Sequence, residues 1–272
     1  MMDNQLINNQ ETVPKAASRH FPEVFSLKGK TALITGGGSG IGFHIAQCMA
    51  SAGATVIITG RREDALKEAI TLIGDNAAYI VNDVTALTLL EDMVDKAETT
   101  YGFIDILVNN AGINMKKPAL EVSDEEFNRI LHTNLNAVFA LTRACASRMV
   151  ARKSGSIIMI SSMAAYYGLD RVAAYAASKS GLEGMVRVLA SEFSKFNVRV
   201  NAIAPGFIET KMMHTAMSND PARINKALNR TPMGHFGQPE DIGWAAVFLA
   251  SEAARYLTGV SLPVDGGNSI GF

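Results

Sequence analysis

This sequence has little cysteine, little net charge and no long apolar run, and each shortage excludes something. Two cysteines among 272 residues, Cys48 and Cys145, lie far apart and match no metal-ligand or redox spacing. Both fall in segments of helical periodicity, where a free cysteine acts as a small hydrophobe, so nothing calls for an oxidising compartment. A formal net charge of −1 provides no general basic field to recruit nucleic acid. The longest apolar stretches are far too short to span a bilayer. From Met1 to about Phe25 the chain is polar, rich in Asn and Gln, and has no secretory apolar core. The expectation is a cytoplasmic protein with a flexible leader over residues 1–26, with neither membrane nor nucleic acid among its partners.

What is present from Leu27 onward is an alternation. Short β-branched runs recur at Thr31–Thr35, Thr55–Thr59, Ala78–Val81, Ile104–Val108, Ser156–Ile160, Val198–Ile203 and Val260–Val264. Between them lie segments with apolar residues at helical spacing, such as Ile41–Ser51, Ala86–Thr100 and Phe127–Val150. Strands apolar on both faces belong to a parallel sheet covered on both sides. Repeated strand–helix alternation without a linker predicts one doubly wound α/β domain of about seven strands over residues 27–272. One stretch breaks the rhythm: after Pro205-Gly206, a segment rich in Met, Asn, Thr and Pro (Met212, Met213, Met217, Met233) shows no strand pattern. It reads as a substrate lid at about 207–238.

Thr35-Gly-Gly-Gly-Ser-Gly-Ile-Gly42 follows the first strand and opens a helix. Gly36 permits the turn, Gly40 and Gly42 let backbone approach a diphosphate, and the helix N-terminus offers N–H groups and a positive dipole end. Tyr175 and Lys179, four apart, share a helix face, so a phenol neighbours an ammonium that favours phenolate. Ser162 ends the fifth strand 13 residues before Tyr175. With Tyr175-Ala-Ala-Ser-Lys179, the glycine spacing resembles the short-chain dehydrogenase/reductase family, whose signature is T-G-x-x-x-G-x-G. The resemblance runs from about Leu27 to Phe272 and reaches Val264-Asp-Gly-Gly267.

That resemblance implies a nicotinamide-dependent oxidoreductase interconverting a secondary alcohol and a ketone. It implies Tyr175 as acid/base, Ser162 on the substrate oxygen, and Lys179 on the nicotinamide ribose. Asn134, in His132-Thr-Asn-Leu-Asn136, would hold a water linked to the lysine. It further implies cofactor contacts from Gly36, Ser39, Gly40, Ile41 and Gly42. Others would come from Asp83 and Val84 at the adenine, from Asn110, Ala111 and Gly112, and from Pro205, Gly206, Ile208 and Thr210 at the nicotinamide and diphosphate. At the end of the second strand, where an NAD site places a carboxylate, this chain has Gly60-Arg61-Arg62. A guanidinium can grip a 2′-phosphate, which favours NADP(H) over NAD(H), although Ser39 stands where many NADP-preferring relatives carry a basic residue. Several stretches, among them Gly168-Leu-Asp170 and Arg230-Thr-Pro-Met233, look most like the gluconate 5-dehydrogenase and polyol dehydrogenase branch. A sugar acid or polyol is the expected substrate; Arg230 and His214 read first as solvated surface groups, with a substrate carboxylate as the alternative partner of either. A 3-oxoacyl-thioester (acyl carrier protein) reductase and a non-catalytic NADP(H) sensor are the alternatives. The family also implies a homotetramer, with the helices Phe127–Val150 and Tyr175–Lys195 between subunits.

Overall fold

The structure is a computed structural model that describes residues 21–211, 213 and 221–271. Seven parallel strands run β1 (Thr31–Thr35), β2 (Thr55–Gly60), β3 (Ala77–Val81), β4 (Ile106–Asn109), β5 (Gly155–Ile160), β6 (Val198–Pro205) and β7 (Ser261–Val264). They lie in the order β3-β2-β1-β4-β5-β6-β7. The chain leaves β1 toward β2 and β3 on one side and returns to β4 on the other. A ligand crevice therefore opens at the carboxyl ends of β1 and β4, where the winding reverses.

Helices α1 (Gly40–Ser51), α2 (Glu63–Ile73), α3 (Leu90–Tyr101), α4 (Asp124–Leu131), α5 (Ala137–Arg152), α6 (Ala173–Phe193), α7 (Pro221–Arg230) and α8 (Pro239–Ala250) cover the sheet. Side chains alternate along each strand, so the core divides in two. Leu33, Leu107, Ile157 and Met159 face α3, α5 and α6, whereas Ala32, Ile34, Ile158 and Ile160 face α1, α2 and α8. The strands are apolar on both faces because both faces are covered.

Four details differ from the sequence reading. β4 begins at Ile106 rather than Ile104, because the Asp105 carboxylate accepts from the Thr31 amide at 3.0 Å and pairs with Lys30. The helix expected over Phe127–Val150 starts earlier, at Asp124, behind a Ser123–Glu126 capping box, and His132–Asn136 forms a π-helical turn within it. The expected lid contains a helix, α7, and its neck is closed by Gly237 N–H to Phe207 O (3.0 Å) and Glu209 N–H to Gly237 O (2.8 Å). Met212, His214 and Met217 lie outside the described residues. Of the leader, residues 1–20 also lie outside them, while Glu23–Phe25 forms a short turn and Phe25 rests on Phe248 of α8. Among the described residues no helix is long and apolar enough to cross a membrane.

Candidate active site

The glycine loop shows why side chains are missing from it. Gly36 holds φ of +67°, and a Cβ on Gly42 would lie 2.4 Å from Asn110 Nδ2 and 2.5 Å from the Gly36 carbonyl oxygen. Asn110 fills that space to brace the loop: its amide donates to the Thr35 carbonyl at 2.8 Å and the Gly36 carbonyl at 3.3 Å. The Thr35 hydroxyl accepts from the Asn110 and Ala111 amides, both at 3.0 Å. Asn110, placed by the sequence among cofactor contacts, uses both side-chain amide hydrogens on the loop. Ser39, at the N-cap of α1, is exposed, and its hydroxyl accepts nothing from the first turn that carries Ile41 and Gly42. The N–H groups there remain available to an anion. Thr210 faces this helix start, its methyl 3.9 Å from where a Gly40 Cβ would sit.

The other expected contacts also lie at strand ends. Asp83 and Val84 follow β3, and Asp83 Oδ1 accepts from the Thr85 amide (2.9 Å) and hydroxyl (2.8 Å). Those bonds, with lesser help from the Arg61 and His132 charges, hold its carboxyl below the usual range. His132, which the sequence gave no role, reaches the Thr85 carbonyl at 3.0 Å through Nε2. It ties the turn after β3 to the π-helical turn bearing Asn134. Arg61 and Arg62 are exposed beyond the end of β2. Pro205 ends β6, and the Gly206 amide donates to the Val264 carbonyl at 3.0 Å. The Ile208 side chain is buried in the apolar core on the α1–α8 face. Only its backbone can border a ligand.

A dinucleotide fits these residues on a further observation. Among the described residues, Thr59 Oγ1, Asn82 Oδ1 and Ser161 Oγ are buried without a hydrogen-bond partner and sit at or just past the carboxyl ends of β2, β3 and β5, while a fourth such atom, His44 Nδ1 on α1, lies 3.0 Å from the Glu240 carboxylate. Buried polar groups are ordinarily satisfied, so orphans gathered along one sheet edge suit a site completed by a ligand. Asn82 and Thr59 carry no pattern in the sequence that would have marked them.

Four side chains converge at the far end of this crevice. Ser162, past β5, and Tyr175, on the first turn of α6, are hydrogen-bonded hydroxyl to hydroxyl. Lys179, one turn on, is buried, with Nζ 5.5 Å from the Tyr175 ring centroid and donating to the Ile160 carbonyl at 2.6 Å. Burial pushes the ammonium down to about 8. Burial also pushes the Tyr175 phenol up, with the Ser162 hydrogen bond pulling the other way. The ammonium was expected to draw the phenol down; in the structure it is turned to Ile160, and desolvation dominates. Asn134 is fully buried in its π-helical turn. Its Oδ1 accepts from the Ile113 amide (2.9 Å), and its Nδ2 donates to the Ile113 carbonyl (2.9 Å) and the Ser178 hydroxyl (3.1 Å). Both amide hydrogens are used, which leaves the second lone pair of Oδ1 as the side chain's remaining hydrogen-bonding capacity. Gly112 is flanked by this cluster: a Cβ there would lie 3.3 Å from Asn134 Oδ1 and 3.8 Å from Lys179 Nζ.

Comparison with known proteins gives this arrangement its family. The family model described as enoyl-(acyl carrier protein) reductase matches residues 36–269. A 3-oxoacyl-[acyl-carrier-protein] reductase of Thermotoga maritima is 41% identical over 245 residues, 89% of this chain and 98% of that protein. The chain belongs to the short-chain dehydrogenase/reductase family. A 2-dehydro-3-deoxy-D-gluconate 5-dehydrogenase of Bacillus subtilis is 40% identical over 247 residues, covering 90% of this chain and 96% of that one. A gluconate 5-dehydrogenase from Burkholderia cenocepacia, solved with NADP and tartrate, superposes with a TM-score of 0.87 at 34% identity. That match covers 92% of this chain and 99% of the other. This short-chain dehydrogenase/reductase is thus an oxidoreductase that works at a CH–OH carbon.

Proposed function

We propose that the enzyme interconverts a sugar acid or polyol bearing a secondary alcohol and the corresponding ketone, with NADP(H) preferred over NAD(H). The observation that carries this is the convergence of Ser162, Tyr175, Lys179 and Asn134 at the carboxyl edge of the sheet, beside an uncapped helix N-terminus. The bound nicotinamide supplies hydride chemistry. Tyr175 holds the proton: its phenol donates to the ketone oxygen as that oxygen becomes an alcohol, and accepts it back in the other direction. Ser162 holds the same oxygen by a hydrogen bond. Lys179 keeps a positive charge near the phenol while its Nζ donates to the Ile160 carbonyl, and Asn134 fixes the Ile113 backbone and the Ser178 turn of α6 directly before it.

The sugar-acid reading is supported by the gluconate-type relatives and by the polar lid end around Arg230. The thioester reading stands beside it, supported by the Thermotoga maritima relative at comparable identity. Arg61 and Arg62, exposed where a carboxylate would serve NAD, support NADP(H). A homotetramer in the cytoplasm completes the reading, supported by the apolar groove of Leu135, Phe139, Ala140 and Met185 between α5 and α6 and by two free buried cysteines.

The test is turnover of a panel of keto sugar acids, keto sugars and 3-oxoacyl thioesters with NADPH, in the parent and in Tyr175→Phe. Loss of the proton donor is expected to lower kcat by roughly 10²–10⁴-fold. NADPH affinity should stay within about threefold, since no hydroxyl–cofactor bond is central to it. Turnover undiminished in Tyr175→Phe would remove the tyrosine from the mechanism.

A further inference from the structure

Arg230, the last residue of α7, is posed like a receptor. Its guanidinium carbon lies 3.9 Å from the centroid of the Tyr167 ring, and its Nε donates to the Asn268 carbonyl at 3.1 Å. It is also hydrogen-bonded to Tyr167. Tyr167 comes from the loop that begins at Ser162, and its hydroxyl is bonded to Asn268 Oδ1. Asn268 is itself fully buried, its amide donating to the Thr231 hydroxyl at 3.0 Å. Three segments therefore meet at this guanidinium: the loop after β5, the end of the lid helix, and the turn after β7.

Such a well-held cation ordinarily faces a carboxylate, and this one does not. Among the described residues no carboxylate lies within 4.0 Å of it. The nearest acidic residue in the same turn, Asp265, is already occupied: Oδ1 accepts from the Gly267 amide at 3.0 Å and Oδ2 from the Ser269 amide at 2.6 Å. An arginine has five N–H donors in a rigid fork, and the contacts with Asn268 and Tyr167 account for two. The half-buried remainder is pre-organised by stacking, so little rotamer freedom is lost when an anion arrives. Position completes the case. Tyr167 lies five residues past Ser162, and Asp265 follows the Val264 carbonyl that receives the Gly206 amide. The fork thus borders the same sheet edge as the reacting groups.

The geometry points to Arg230 as the carboxylate-recognition residue of the substrate site, which selects keto sugar acids over neutral keto sugars of the same length. This assignment rests on the sugar-acid reading proposed above, and it gives that reading a specific anchor. Tyr167 and Asn268 act as positioning residues that hold the fork in place.

The experiment measures kcat/KM for ketone reduction with a matched pair, a keto sugar acid and the neutral keto sugar of equal chain length, in the parent, Arg230→Gln and Arg230→Lys. In the parent, the acid should be preferred at least tenfold. In Arg230→Gln the acid-to-neutral ratio should fall at least tenfold, mainly through KM for the acid. Arg230→Lys, which keeps the charge but not the fork, should fall between the two. Each variant is checked for NADPH affinity and thermal midpoint, which report its folding apart from substrate choice. Equal losses on both substrates in Arg230→Gln would make the residue a structural latch and overturn the assignment. A parent that shows no preference for the acid overturns the sugar-acid reading itself, and the two failures are told apart by which protein shows them.

Discussion

Replacing Lys179 by Met should abolish useful turnover and yet leave the protein at least as stable at neutral pH. The lysine is buried, and its ammonium has one hydrogen bond, to the Ile160 carbonyl at 2.6 Å, with no carboxylate beside it. Burial brings it from an ordinary 10.5 to about 8. At about 1.4 kcal/mol per pH unit, keeping the charge inside costs roughly 3 kcal/mol whenever the group is protonated in both states. Met removes the charge at nearly constant volume but strands the Ile160 carbonyl, at about 1–3 kcal/mol. The net expectation at pH 7 is a change between zero and about 2 kcal/mol in favour of Met. The pH dependence is sharper. Between about 8 and 10.5 the unfolded chain holds more protons than the folded one. Parent stability attributable to this group therefore rises with pH across that window and is level below it. Urea unfolding of parent and variant at pH 7, 8, 9 and 10 isolates the effect, because all other titrations cancel in the difference. The advantage of Met should be constant up to about pH 8 and then shrink. A difference that stays flat from pH 7 to 10 would refute the claim that Lys179 is held as a strained buried cation.

Gly42→Ala places a methyl 2.4 Å from Asn110 Nδ2 and 2.5 Å from the Gly36 carbonyl, contacts that only backbone movement relieves. The expected cost is roughly 1–3 kcal/mol with NADPH affinity falling together with the thermal midpoint; an unchanged midpoint by calorimetry would contradict the bracing role of Asn110. Gly60→Asp should exchange cofactors without disturbing the fold, because a Cβ there meets only the Leu66 side chain at 3.5 Å, an ordinary contact. Comparing NADPH and NADH dissociation constants should show the ratio moving toward NADH by roughly one to two decades, since a carboxylate repels a 2′-phosphate. No movement would place the 2′-hydroxyl elsewhere. Because burial raises the Tyr175 phenol above its ordinary value while Lys179 is brought down to about 8, kcat/KM for ketone reduction should hold level below about pH 8 and fall above it as the ammonium is lost. A reduction rate that already falls below pH 8 would show a phenol titrating low.

Most of the frame was legible because its cause is local. The strand positions follow from β-branched runs: β1, β2, β5 and β6 are covered on both faces, the edge strands β3 and β7 are only partly buried, and β4 is shortened by a tertiary contact between Asp105 and the start of β1. Helix α7 escaped notice because Pro221, Asn225 and Asn229 dilute an apolar face that amounts to Ile224, Ala227 and Leu228. The π-helical turn was illegible for a different reason: one extra residue per turn barely disturbs a 3.6-residue pattern, yet it aims Asn134 inward. At the site, Ser162, Tyr175 and Lys179 were marked by their spacing together with the family resemblance, and the structure brings them close to one another. The use of Asn110 and Ile208 was not, since a cofactor-side position says nothing about whether a side chain faces the ligand, the loop or the core.

The electrostatics of the cluster favour one protonic state before any ligand binds. Desolvation pushes Tyr175 up and Lys179 down, so burial moves both groups toward neutrality. A phenolate–ammonium pair is therefore not the ground state of this pocket; a protonated phenol bonded to Ser162 beside an ammonium on the Ile160 carbonyl is. That state is ready to give a proton to a ketone oxygen. To accept one from an alcohol, Tyr175 must first lose its own, which requires either more positive charge nearby or a Lys179 redirected from Ile160 toward the phenol. Asn134 donates to the Ser178 hydroxyl and so fixes the turn of α6 directly before that lysine. The resting protonation of this cluster thus depends on where one ammonium points, whereas the net direction of reaction follows from the concentrations of substrate and cofactor.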